Sequence, residues 1–242
     1  MIPLHRFLDF LFPPRCGFCG VLIPEGQLCG ECEGTLPRLP EGANPFWIGD
    51  YRCVSPFFYR RAVRAGIRDY KFHGKSGRAA LFAAYLAETV AEHLGGEFDS
   101  VTYVPIHPLR RWKRGYDQSQ LLAQELCRIW QSSCETALKK VKNTRPQSSL
   151  VSSFARRTNA QGCYRAQGQV AGKRFLLVDD VVTTGSTLTA AADALMAAGA
   201  ASVVCAAFAG YPRGQGGMYP EKTGEYPKKW TESACKNFVG RI

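Results

Sequence analysis

Two adjacent carboxylates, Asp179 and Asp180, stand where the apolar run FLLV ends, and a turn rich in Thr, Gly and Ser leads from them into an Ala-rich stretch. Two such carboxylates repel one another without a cation or sugar beside them, and a helix cap needs one hydroxyl rather than four. The pattern predicts a holder for a phosphorylated sugar. Backbone N–H groups from Thr183 through Thr184, Gly185 and Ser186 to Thr187 would cradle a phosphate at a helix start, with four hydroxyls alongside. Gly185 would let the backbone approach closely. Asp179 and Asp180 would accept hydrogen bonds from ribose hydroxyls and help hold a hydrated metal. A capped βα turn with a solvated acidic pair is the competing reading.

A second group of chemistry-bearing residues is Cys16, Cys19, Cys29 and Cys32, two C-x-x-C pairs with nine residues between them. Four thiolates from two such pairs enclose a tetrahedral Zn²⁺ and leave no open position, so the metal would be structural. The nine-residue spacer is shorter than the usual ribbon spacing, which favours a compact pair of knuckles. An iron–sulfur cluster, a redox dithiol or four unrelated thiols compete with zinc.

The third group is basic. Arg110, Arg111, Lys113 and Arg114 follow an apolar run and precede a helical pattern, where they would bind an anionic group, with a basic helix-entry loop as the competing reading. Gly115 permits a turn, and Asp117 suits the N-cap of the next helix. His107 is read as structural, since a lone histidine more often is. Further clumps occur at Arg60, Arg61, Arg64 and Arg68, and at Lys139, Lys140 and Lys142. With a net charge of +11 they favour anionic partners.

The elements that must position these groups alternate between apolar runs and helical periods, which predicts an α/β fold with a parallel sheet buried on both faces. Strands are expected at 53–59, 100–105, 174–179 and 202–207, and helices at 61–70, 79–94, 117–130 and 187–198. Residues 1–46 read as a helix plus the cysteine module, ending in a Pro- and Gly-rich linker. Residues 47–210 form the main domain, and 211–242 a flexible tail. Leu4, Phe7, Leu8 and Leu11 make one stripe of a short amphipathic helix that reads as packing. No uninterrupted apolar window is long enough to span a bilayer, and no secretory signal is evident, so a cytoplasmic chain is expected.

The stretch LLVDDVVTTGST resembles the phosphoribosyl-diphosphate signature of type I phosphoribosyltransferases. The wider pattern resembles the ComF family, which includes ComFC- and GntX-like proteins. It rests on the cysteine module, on VPIHPLRRWKRGYDQS (104–119) as a pyrophosphate loop and on RPQSSLVSSFARRTNAQGCY (145–164) as a flexible loop. The resemblance implies a type I phosphoribosyltransferase fold that binds phosphoribosyl diphosphate with Mg²⁺ at Asp179 and Asp180, its acceptor unknown. In the lid over the diphosphate, Arg156, Arg157 and Asn159 are the residues to watch. Tyr70, Lys71 and Phe72 resemble the place of a hood that chooses the acceptor. It further implies a link to DNA uptake and natural transformation, with single-stranded DNA and competence or DNA-processing proteins as partners. A non-catalytic DNA-binding or regulatory protein reusing the fold is the alternative.

Overall fold

The computed structural model describes residues 13–72, 76–142 and 162–211. The expected N-terminal stripe, the C-terminal tail, and Arg156, Arg157 and Asn159 of the expected lid lie outside the described residues. Elements are numbered in chain order: α1 Gly30–Thr35, β1 Phe46–Ile48, β2 Tyr51–Val54, β3 Phe57–Phe58, α2 Arg61–Phe72, α3 Arg78–Leu94, β4 Ser100–Tyr103 and α4 Pro108–Arg114. There follow α5 Gln118–Ile129, β5 Leu138–Lys140, β6 Tyr164–Ala166, β7 Arg174–Val182, α6 Ser186–Ala197 and β8 Ser202–Gly210.

The main sheet runs β1-β2-β8-β7-β4, with β3 also on β8. Every pairing in it is parallel except β1 with β2. Central strand β7 is apolar without alternation because both its faces are covered. Leu176 and Val178 pack with α3 and α5, whereas Phe175 and Leu177 pack with α6 and the β5–β6 hairpin. The expected strand 53–59 is two strands, β2 and β3. It breaks at Ser55–Pro56, where proline offers no N–H to a ladder.

The cysteine module is part of the core. Phe18, 1% exposed, sits among Phe57, Phe82, Tyr85 and Phe208, with centroids 5.1–6.3 Å apart for its own contacts and the Phe57–Tyr85 pair. The stretch read as a linker is also bound down. Leu39 N donates to Pro56 O and Phe58 N to Pro37 O, and Leu36 and Ala43 are buried.

Chain direction opens a crevice between β4 and β7. The chain leaving β4 passes through α5 and returns on the outer side of β4, where Cys134 bridges Val101 in parallel. The chain leaving β7 passes through α6 to β8 on the other side. Connections that part in this way leave the carboxyl ends of the two strands uncovered, the usual ligand position in such sheets. Among the described residues no helix is long and apolar enough to cross a membrane.

Candidate functional site

β4 last pairs with β7 at Tyr103 and Val178, so Asp179 and Asp180 stand where the two strands diverge. Both are buried. Asp179 Oδ1 accepts from Ser119 Oγ and from Asp180 N, each at 2.8 Å. Burial, then the charge of Asp180, pushes the Asp179 carboxyl up to about 7, against the opposing pull of Lys71 and Ser119.

Asp180 Oδ2 lies 2.8 Å from Lys71 Nζ at the end of α2. At that distance the ammonium and the carboxylate make a charge-assisted contact, and among the described residues nothing else donates to this buried oxygen. Burial would lower the Lys71 ammonium, yet the two aspartates hold it above the usual lysine range.

Ser119 reaches Asp179 because Asp117 fixes the start of α5. Asp117 Oδ1 accepts from Ser119 N at 3.1 Å and Gln120 N at 3.3 Å, and Oδ2 accepts from Ile106 N at 2.8 Å. The expected N-cap is thus present, and one carboxylate pins both ends of the basic segment. Between them the segment coils into α4 and ends at Gly115, whose φ of 87° is left-handed. Arg110 and Arg114 are half-buried, while Arg111 and Lys113 are exposed. Arg114 donates to Gln118 Oε1 and lies 5.0 Å from the Phe72 ring centroid. His107 Nδ1 accepts from Leu109 N at 3.3 Å and caps α4, the structural role read for it.

The loop from Thr183 to Thr187 leads into α6, whose first-turn N–H groups have no partner within the helix. Thr184 Oγ1 and Ser186 Oγ lie 3.0 Å apart, and Thr183, Thr184 and Thr187 are half-buried at its rim. Gly185 has φ 78°, and a Cβ there would lie 2.8 Å from Ile48 Cβ. The close approach at Gly185 is to Ile48 of β1.

Cys16, Cys19, Cys29 and Cys32 bring their sulfurs within 4.8 Å of one another, with Cys19 and Cys29 at 3.6 Å. Sulfurs around a tetrahedral Zn²⁺ lie about 3.8 Å apart given Zn–S bonds of ~2.3 Å, so the four fit that ion. Burial would raise the Cys16 thiol, but donors at Cys19, Cys29 and Phe18 outweigh it and hold it at about 6. These four hold a structural zinc. The acidic pair is different: among the described residues only the four cysteines gather three or more metal-ligating groups. With an ammonium on Asp180, Asp179 and Asp180 do not by themselves make a Mg²⁺ cage.

Three residues stand beside the acids that the sequence placed only elsewhere: Lys71 in the expected hood, Ser119 at the end of the expected pyrophosphate loop and Lys140 in a basic clump. Ser119 and Lys71 are separated from the aspartates by long stretches of chain. Lys140 Nζ donates to Tyr164 Oη at 3.1 Å, and burial together with the Arg110 charge lowers its ammonium. Burial and the Asp179 charge raise the Tyr164 phenol. The hairpin thus adds a cation and a phenol near the acids.

Residues 113–231 match the phosphoribosyl transferase domain family, and residues 7–43 match the double zinc ribbon domain. The DNA utilization protein YhgH of Salmonella typhimurium is 32% identical over 203 residues, covering 78% of this chain and 86% of that protein. Competence protein F of Haemophilus influenzae is 32% identical over 185 residues, 72% of this chain and 75% of that one. Competence protein ComFC of Streptococcus pneumoniae is 24% identical over 194 residues, covering 73% and 84%. A parallel sheet with an acidic pair at its carboxyl edge, a core-docked four-cysteine module and these relatives agree: the chain belongs to the ComF family of phosphoribosyltransferase-fold proteins.

Proposed function

We propose that the chain is a phosphoribosyltransferase that binds phosphoribosyl diphosphate in the crevice between β4 and β7. The observation that carries this reading is Asp180 Oδ2, a buried carboxylate oxygen whose only close partner among the described residues is the Lys71 ammonium, on the strand that opens onto the Thr183–Thr187 loop. Its second lone pair is open to a further donor. A ribose hydroxyl supplies one. The sugar's 5-phosphate would then meet the first-turn N–H groups of α6 and the hydroxyls of Thr183, Thr184, Ser186 and Thr187.

Transfer breaks the bond between the anomeric carbon and the diphosphate oxygen, which leaves with the electron pair, while the acceptor's lone pair forms the new bond. The cationic sugar is stabilised by nearby carboxylates, and the departing diphosphate by Arg110, Arg111, Lys113, Arg114 and Lys140. Mg²⁺ enters on the diphosphate as part of the substrate. A screen of nucleobases and amines for diphosphate release tests which nucleophile is the acceptor.

Calorimetry with phosphoribosyl diphosphate and Mg²⁺ tests the reading. Wild type should bind, and Asp179→Ala with Asp180→Ala should not. No binding to wild type contradicts it.

A second reading places the chain in DNA use or competence, the words in its relatives' names, and we extend it to DNA uptake in the cytoplasm with single-stranded DNA and competence proteins as partners. One surface favours DNA contact. Arg61, Arg64, Arg68 and Phe72 form an exposed stripe of α2 about 16 Å long. Arg114 joins Phe72 to α4, where Trp112 is 82% exposed between Arg111 and Lys113. Basic residues with stacking aromatics suit single strands. Affinity for single-stranded DNA that falls steeply with salt, and falls again in Trp112→Ala, supports this; a flat salt dependence contradicts it.

A further inference from the structure

Lys71 reaches the acidic pair from an element remote in sequence, and its position constrains what the pair accepts. Its ammonium lies 2.8 Å from Asp180 Oδ2, and its side chain is about one-fifth exposed (21%) beside a carboxylate at 6%. The ammonium engages one lone pair of Oδ2 and neutralises its charge, and the second lone pair stays available. Asp179 is engaged on Oδ1 by Ser119 Oγ and by Asp180 N.

These facts separate two classes of ligand. A hydroxyl brings a donor and no net charge, so it satisfies Oδ2 while the ammonium remains. A divalent cation bonded to the same oxygen would lie within a few ångströms of a fixed positive charge in a buried site, where like charges repel strongly. Further anionic ligands are scarce, since among the described residues only the cysteine cluster gathers three or more metal-ligating groups.

We infer that Lys71 is a built-in counter-ion that keeps a bare divalent cation off Asp180 while leaving the carboxylate open to a hydroxyl donor, so that the acid pair selects a sugar diol over a metal. This inference rests on the reading of the pair as a ribose site. It makes Lys71 a specificity residue, and it explains why the metal must come bound to the diphosphate.

Electron paramagnetic resonance of Mn²⁺ titrated into the zinc-loaded full-length protein, with no nucleotide or sugar present, tests it. Wild type and Asp180→Asn should bind Mn²⁺ equally weakly. Lys71→Met should gain one Mn²⁺ per chain, at least tenfold tighter than wild type, and Lys71→Met with Asp180→Asn should lose it again. Lys71→Arg keeps the charge and should behave as wild type. Should Lys71→Met not fold, Lys71→Gln gives the same readout.

The inference is overturned if a folded, uncharged variant binds Mn²⁺ no better than wild type. It is also overturned if wild type alone already shows a tight Mn²⁺ site that Asp180→Asn removes. Because the probe is the metal alone, failure of phosphoribosyl diphosphate to bind wild type is a separate result that counts against the ribose reading.

Discussion

Ser119 Oγ donates a 2.8 Å hydrogen bond to Asp179 Oδ1, joining the helix after the basic segment to the strand that carries the acids. Both residues are buried. The bond links the two walls of the crevice, so the basic segment and the acidic pair hold a fixed relation before any ligand arrives. Ser119→Ala should leave a buried carboxylate one donor short and destabilise the chain by about 1–3 kcal/mol. Urea unfolding measures this, and Ser119→Thr, which keeps the hydroxyl, should recover part of the loss.

The Asp179 carboxyl predicts a pH dependence. Burial holds it at about 7 in the folded chain, whereas an unfolded aspartate titrates near 3.9. The folded state therefore keeps a proton that the unfolded state has released. This contribution is complete below the unfolded value and fades as pH rises through about 7. Between pH 5.5 and 8, wild type should lose about 2 kcal/mol through this group, at roughly 1.4 kcal/mol per pH unit. Asp179→Asn should remove that slope, as urea unfolding at both pH values would reveal.

Zinc should stabilise the whole chain. Cys16, Cys32 and Phe18 belong to the same core as α3 and the sheet. Metal analysis should give about one zinc per chain, and Cys32→Ser or a strong chelator should lower the melting temperature of the entire cooperative transition. Phe18→Ala, with the metal kept, should cost about 3–5 kcal/mol. A separate low-temperature transition for the module, with the main one unmoved, would contradict this.

Gly185 serves two constraints, a left-handed backbone and a Cβ position already filled by Ile48. Gly185→Ala should cost roughly 2–4 kcal/mol, read by thermal or urea unfolding. Gly26, also left-handed but with nothing near its Cβ position, is the control and should lose less when changed to Ala.

How much of this was legible in the sequence depends on distance along the chain. FLLV followed by two acids and a hydroxyl-rich turn announces a strand, a loop and a helix start within one window, and the expected ranges for β7, β8, α2, α3, α5 and α6 match to within a few residues. Asp117 was legible as a cap because its partners Ser119 and Gln120 are its immediate neighbours. Lys71 and Ser119 were not legible at the acids, because only the packing of α2 and α5 against the sheet brings them there. The docking of the 36–45 stretch was missed for a related reason. Its prolines and glycines mark turns, but its hydrogen bonds go to β3 and the residue before it. The basic segment was read as a loop; His107 and Pro108 instead start a short helix.

The central claim is that the acids at the end of β7 and the loop into α6 hold opposite ends of one phosphorylated ribose. A crystal structure of the full chain soaked with ribose 5-phosphate measures this directly. A ribose hydroxyl should lie within hydrogen-bond distance of Asp180 Oδ2, and the phosphate on backbone N–H groups between Thr183 and Thr187. A sugar phosphate bound elsewhere, with Asp180 still touching only Lys71, would contradict it.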